Sequence, residues 1–293
     1  MTTNLPTDSD AVQRWFEIAQ GTRMMDFMLK AMPDPGPDSN FAQIDALYPH
    51  EKASAWHRSY LGSALEHLML WADVVAPLKF HEEHVTIFTF RPAHTLGRAA
   101  MEAASQALWM TSGGTAHECV RRHLALIRWD YEEYRKSNAD KEFKTRVTER
   151  DKTLIERAAP EFSIEELRPP GHREVLRKAA PAADLDPDEV EYTWRAASGA
   201  AHGRVWPALV RQHVLPTQEY EEGHYRTLRI PDTAAMTEVL NAAETMMHHG
   251  VLRHADFCGA DIELMLQDAA RSLAEVVPLK DGVSPDDVRN LLG

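Results

Sequence analysis

Long runs of apolar residues recurring every three to four positions constrain this chain more than any other feature. Val12, Trp15, Phe16, Ile18, Ala19, Met24, Phe27 and Met28 follow Ser9 and Asp10, two residues able to cap a helix. This run must end before Met32-Pro33-Asp34-Pro35-Gly36-Pro37, because proline lacks the amide proton that a helix interior needs. A second run from Glu51 to Val75 carries Trp56, Tyr60, Leu61, Leu65, Leu68, Leu70 and Trp71 on one broad face. Both runs predict core-facing helices.

The same period continues along the chain. His84 to Phe90 alternates like a short strand, and Arg91-Pro92 then opens a helix containing Leu96, Met101, Leu108 and Trp109. In it, Ala93, Gly97, Ala100 and Ala104 form a stripe of small residues that predicts close approach of another helix. Past Ser112-Gly113-Gly114, Thr115 caps a helix with Val120, Leu124, Ile127 and Tyr131 on one side, and residues 141 to 158 form a charged helix. Glu161 to Asp186, with Pro169-Pro170-Gly171, reads as a short helix between loops and as a subdomain joint. Asp186-Pro187-Asp188-Glu189 is a strong start signal for a helix expected to reach about Val210. Alternation on both sides of Glu222-Gly223 predicts a hairpin between His213 and Ile230. Helices from Thr233 to Phe257 and from Asp261 to Val276, and a capped turn at Ser284 to Asp287, complete the pattern. The fold class is therefore all-α, a multi-helix bundle with one small β-hairpin. Residues 1–160 form an N-terminal helical bundle and 161–293 a C-terminal helical region, packed as one compact unit.

Composition narrows the function classes. With 293 residues, 44% of them apolar and 26% charged, the chain can bury a substantial core. There is no run of 18 apolar residues and no basic, apolar leader, so neither a membrane span nor export is expected, and the location is read as cytoplasmic. Two distant cysteines, Cys119 and Cys258, do not make a disulfide framework. A net charge of −13 argues against a protein that coats nucleic acid. Between Arg121 and Arg211, however, 18 basic residues face 17 acidic ones, which permits a basic groove.

The helix opened at Asp186 carries the constellation of most chemical interest. Arg195, Ser198, Gly199, His202 and Trp206, at spacings of three, four and seven, share one stripe. A guanidinium offers a planar donor fork for phosphate, and an imidazole can move a proton near neutral pH. Gly199 leaves room for a substrate or a second helix. On the Arg91 helix, His94, Arg98 and Glu102 stand at i, i+4 and i+8, a polar line expected either to face water or to meet Arg195 and His202 across a helix pair. The residues leave two readings open: a Glu–Arg–His cluster in a cleft, or an ion-pair lattice that fixes helix register. His81-Glu82-Glu83-His84, and His248-His249 with His254 and Cys258, contain metal-ligand types at spacings that match no zinc signature, so no metal site and no cofactor are assigned.

Arg195 followed by six residues and His202 resembles the motif of the HEPN superfamily (higher eukaryotes and prokaryotes nucleotide-binding), helical proteins that include metal-independent ribonucleases of toxin and defence systems. The resemblance implies that Arg195 stabilises charge on a scissile phosphate and that His202 activates a ribose 2′-hydroxyl or protonates the leaving oxygen. It also implies a homodimer, in which two copies build one site, and RNA, with an antitoxin or defence partner, as the molecules met. The superfamily's polar residue after the arginine is here Ala196. A broader likeness rests on Arg98-Ala99-Ala100-Met101-Glu102, Ala107-Leu108-Trp109 and Ser198 to His202-Gly203-Arg204. These segments resemble a group of uncharacterised helical proteins common in actinobacteria, and that likeness implies no activity. The expected function is a HEPN-like ribonuclease or an inactive relative. The alternative is a non-catalytic helical adaptor or scaffold, with Arg195, His202, Ser198, Arg98, Glu102 and His94 as structural residues.

Overall fold

The computed structural model describes residues 9–79 and 89–278. Within them the chain forms eleven α-helices and one two-stranded antiparallel sheet. The helices are α1 (Ser9–Lys30), α2 (Asn40–Leu47), α3 (Ala53–Val75), α4 (Phe90–Thr111), α5 (Ala116–Lys136), α6 (Lys141–Ala158), α7 (His172–Ala179), α8 (Pro187–Ala201), α9 (Trp206–Val210), α10 (Thr233–Cys258) and α11 (Ile262–Val276). The hairpin strands β1 (Gln212–Glu221) and β2 (His224–Pro231) lie between α9 and α10. The strand expected at His84 to Phe90 falls almost wholly outside the described residues, as do His81 to His84 and the turn at Ser284; Phe90 itself opens α4.

Helix α4 is the central element, and its composition explains why. It packs against α3, α5, α7, α8 and α10, and most of its residues from Phe90 to Thr111 are buried. A helix buried along most of its length packs against neighbours on several sides at once. Large side chains such as Met101, Leu108 and Trp109 each contribute about 1.5–3 kcal/mol by leaving water, while the alanines between them let neighbouring backbones come near. The small stripe is filled from within the chain: a Cβ added at Gly97 would lie 3.0 Å from Val239 of α10. The close approach that the stripe predicts is thus made by α10.

The caps predicted at Thr115 and Asp186 form, and Asp261 caps α11 in the same way. Thr115 Oγ1 accepts from Glu118 N at 3.1 Å, Asp186 Oδ1 from Asp188 N at 2.8 Å and Glu189 N at 3.0 Å, and Asp261 Oδ1 from Leu264 N at 3.0 Å. Helix α2 was not anticipated. Ser39 Oγ caps it by accepting from Ala42 N at 3.1 Å, and it buries Phe41 beside His57, His254 and Phe257. One apolar cluster runs through both halves of the chain, with Leu154 and Ala158 on one side of residue 160 and Leu167, Val175 and Val190 on the other.

The hairpin forms where expected, with Gly223 at φ +74° in its turn and Leu215 paired with Leu228. It is exposed along nearly its whole length, including Val214, Leu215, Tyr220, Tyr225 and Leu228. Among the described residues no helix is long and apolar enough to cross a membrane. Cys119 and Cys258 are buried free thiols.

Candidate functional site

Helix α8 buries Val190, Thr193, Ala196, Ala197, Gly199 and Ala200, and turns Glu191, Tyr192 and Arg195 outward. It ends earlier than the sequence suggests. Gly203 adopts φ +71°, Gly203 N donates to Ala200 O at 3.1 Å and Arg204 N to Gly199 O at 2.8 Å, the paired bonds of a Schellman motif. His202 is thus the C-cap, not a mid-helix residue. The chain then folds back, so that a Cβ at Gly199 would meet Pro207 Cγ at 2.8 Å and Trp206 Nε1 at 3.2 Å. The space beside Gly199 is taken by this chain's own α9 rather than by a substrate or a second helix.

Glu191 is the hub of the outer face. Its carboxylate accepts from Arg173 Nε at 2.7 Å, Arg177 Nη1 at 2.8 Å and Arg195 Nε at 2.8 Å, while Arg177 also reaches Asp188 at 2.6 Å. The Arg173 hydrogen bond, then that of Arg195, holds the Glu191 carboxyl down at about 2. Three guanidiniums therefore share two carboxylates, and Arg195 stays 53% exposed. Its guanidinium also lies 5.9 Å from the ring centre of Trp194. His202 is exposed, and among the described residues its side chain forms no hydrogen bond or ion pair. Ser198 is half-buried, and its carbonyl accepts from His202 N at 3.0 Å.

The polar line of α4 divides. Each four-residue step on a helix with 3.6 residues per turn drifts by about 40°, so His94, Arg98 and Glu102 do not share one outlook. His94 turns into the core, where its Nδ1 donates to Phe90 O at 2.9 Å and its Nε2 has no partner among the described residues; burial pushes its pKa down to about 4. Arg98 Nε donates to Glu102 Oε1 at 2.8 Å, and Trp194 Nε1 of α8 donates to the same oxygen at 2.6 Å. The polar line thus meets α8 through Trp194, one residue before Arg195, and the structure does not bring His94 to the α8 surface. His172 packs 4.5 Å from the Trp129 ring and 6.5 Å from that of Trp194, extending this aromatic and polar layer across α5, α7 and α8.

Two features escaped the sequence. Arg211, only 5% exposed in its side chain, donates to Glu238 at 2.6 Å and stacks 4.9 Å from the centre of the Tyr192 ring, locking the start of the hairpin to α10 and α8. In the core, His57 Nδ1 and His254 Nδ1 approach to 3.0 Å, so one ring must donate and the other accept. His254 and Cys258 do not assemble a metal site: among the described residues no three His, Cys, Asp or Glu side chains cluster as a metal ion requires. Compared with known protein families, with curated proteins and with solved structures, the chain matches none.

Proposed function

We propose that this chain is a HEPN-like, metal-independent ribonuclease whose site is completed by a second copy. The single observation that carries the reading is that Arg195 and the C-cap His202 both remain exposed rather than sealed in the core, with Arg195 sharing Glu191 with Arg173 and Arg177. The cluster is rich in guanidinium, which suits phosphate. In the proposed reaction the ribose 2′-oxygen attacks the adjacent phosphorus. Its proton passes to an imidazole, the P–O5′ bond breaks, and the 5′-oxygen takes a proton from an imidazolium, leaving a 2′,3′-cyclic phosphate and a 5′-hydroxyl. Arg195 stabilises the charge on the phosphorane oxygens.

With two copies, one His202 acts as base on the 2′-hydroxyl while the second, already protonated, serves the leaving oxygen, which is why two copies are part of the proposal. The surface directly after His202 suits such a contact: Val205, Trp206, Leu209 and Val210 are exposed, and the apolar patch continues into Val214 and Leu215. A bacterial defence or toxin setting follows from the resemblance, and cytoplasmic action on RNA is part of the same reading.

One observation favours a second reading, a non-catalytic helical adaptor: Arg195 already spends both Nε and Nη2 on Glu191 at 2.8 Å. Expression in a bacterial host separates the two. The ribonuclease reading expects wild-type protein to arrest growth and to cleave added RNA, with both effects lost in His202→Ala. Purified wild-type protein that leaves RNA intact over a range of salt concentrations sinks it.

A further inference from the structure

An open cleft of about 720 Å³ lies where the end of α4, the start of α5, α7 and the C-terminal half of α10 come together. Three cationic side chains line it, Arg122, Lys178 and Arg253, and among the described residues no carboxylate does, although the chain as a whole carries a charge of −13. Two of the three are balanced by acids set outside the wall. Arg122 Nε donates to Glu118 at 2.7 Å, and Lys178 Nζ reaches Glu174 at 2.8 Å. Arg253 is half-buried and, among the described residues, forms no hydrogen bond or ion pair. A guanidinium partly withdrawn from water beside two further cations is stabilised best by an anion entering the cleft.

The wall around these charges has definite chemistry. Arg122 is held in place by donating to Trp109 O at 2.7 Å and Ser112 Oγ at 3.0 Å, so its guanidinium is preorganised and not a mobile surface arm. Ser112 itself lines the cleft, as does Phe257, which supplies an aromatic wall. Planar guanidiniums suit phosphate oxygens, the aromatic ring suits a flat apolar group, and the volume lies within the range of small-ligand sites.

We infer that this cleft binds a phosphorylated small molecule bearing a ring, with the phosphates on Arg253, Lys178 and Arg122 and the ring against Phe257. None of these residues belongs to the α8 arrangement, so the inference stands apart from the ribonuclease proposal.

Isothermal titration of the full chain with ADP, pyrophosphate and adenosine tests it. ADP is expected to bind saturably, pyrophosphate more weakly and adenosine not at all. Arg253→Met, and separately Lys178→Met at a side chain already 55% exposed, are expected to weaken ADP at least tenfold with unchanged circular dichroism. Absence of saturable binding by ADP and pyrophosphate at millimolar concentration overturns the site, as does ADP affinity unchanged in both variants. Adenosine binding as well as ADP overturns the phosphate assignment, and pyrophosphate binding as well as ADP overturns the ring assignment.

Discussion

Trp194 and Glu102 join α8 to α4 through a 2.6 Å hydrogen bond from the indole to a carboxylate that Arg98 also holds at 2.8 Å. This bond fixes the rotation of α8 and with it the outward direction of Arg195, the next residue. Trp194→Phe keeps most of the ring and removes the donor. Hydrogen bonds to charged groups are worth about 1.5–3 kcal/mol, so the variant should lose stability of that order in urea unfolding. A midpoint equal to wild type contradicts this role.

The Glu191 hub predicts a charge effect on RNA. Glu191→Gln releases Arg173, Arg177 and Arg195 from their shared carboxylate and should tighten RNA binding several-fold in fluorescence anisotropy, with a steeper salt dependence. The Glu191 pKa is depressed, so the stabilisation from its ion pairs is fully present above the ordinary carboxylate value and fades only as pH falls toward about 2. Acidification to pH 4 should therefore not mimic the variant. Weaker RNA binding by Glu191→Gln argues against a phosphate-binding face.

The core imidazoles predict an acid limit. Burial lowers His94, His123 and His254 to about 4 and His57 well below its ordinary value, the last also through His254. Unfolded histidines take protons near 6.5, so this stability is complete above that pH and is lost between 6.5 and 4, by up to about 1.4 kcal/mol per pH unit for each group. Melting curves should fall steeply over that window. His94→Leu, which also removes the unpaired Nε2, should reduce the slope by about one proton. A melting temperature flat from pH 7 to 4.5 contradicts the account.

Much of this was legible in the residues, and the failures are instructive. Thr115 and Asp186 could be read as caps, and Glu222-Gly223 as a turn, because each signal is local. The end of α8 was equally local: Gly203 follows His202 as a left-handed stop, but the apolar spacing through Trp206 suggested a continuous helix. Helix α2 is only two turns long and shows too little periodicity. What sequence could not supply was pairing between helices. The polar line could face water or meet Arg195 and His202, and Glu102 in fact meets Trp194, while the Ala93 to Ala104 stripe meets α10.

That last pairing is itself testable. Gly97→Val places methyl groups against Val239, and overpacking of this kind costs about 1–3 kcal/mol. The melting temperature should fall while the mass measured by light scattering stays that of wild type. A variant of normal stability that changes only oligomeric state contradicts packing of the stripe by α10.

The central claim is tested most directly by the ends of cleaved RNA. Purified wild-type protein is incubated with an end-labelled oligoribonucleotide in EDTA, and the products are resolved by mass spectrometry. The account predicts 2′,3′-cyclic phosphate and 5′-hydroxyl ends, formed on the order of 100-fold or more slowly by His202→Ala and Arg195→Ala. Intact RNA with wild type, or cleavage that survives both substitutions, contradicts it.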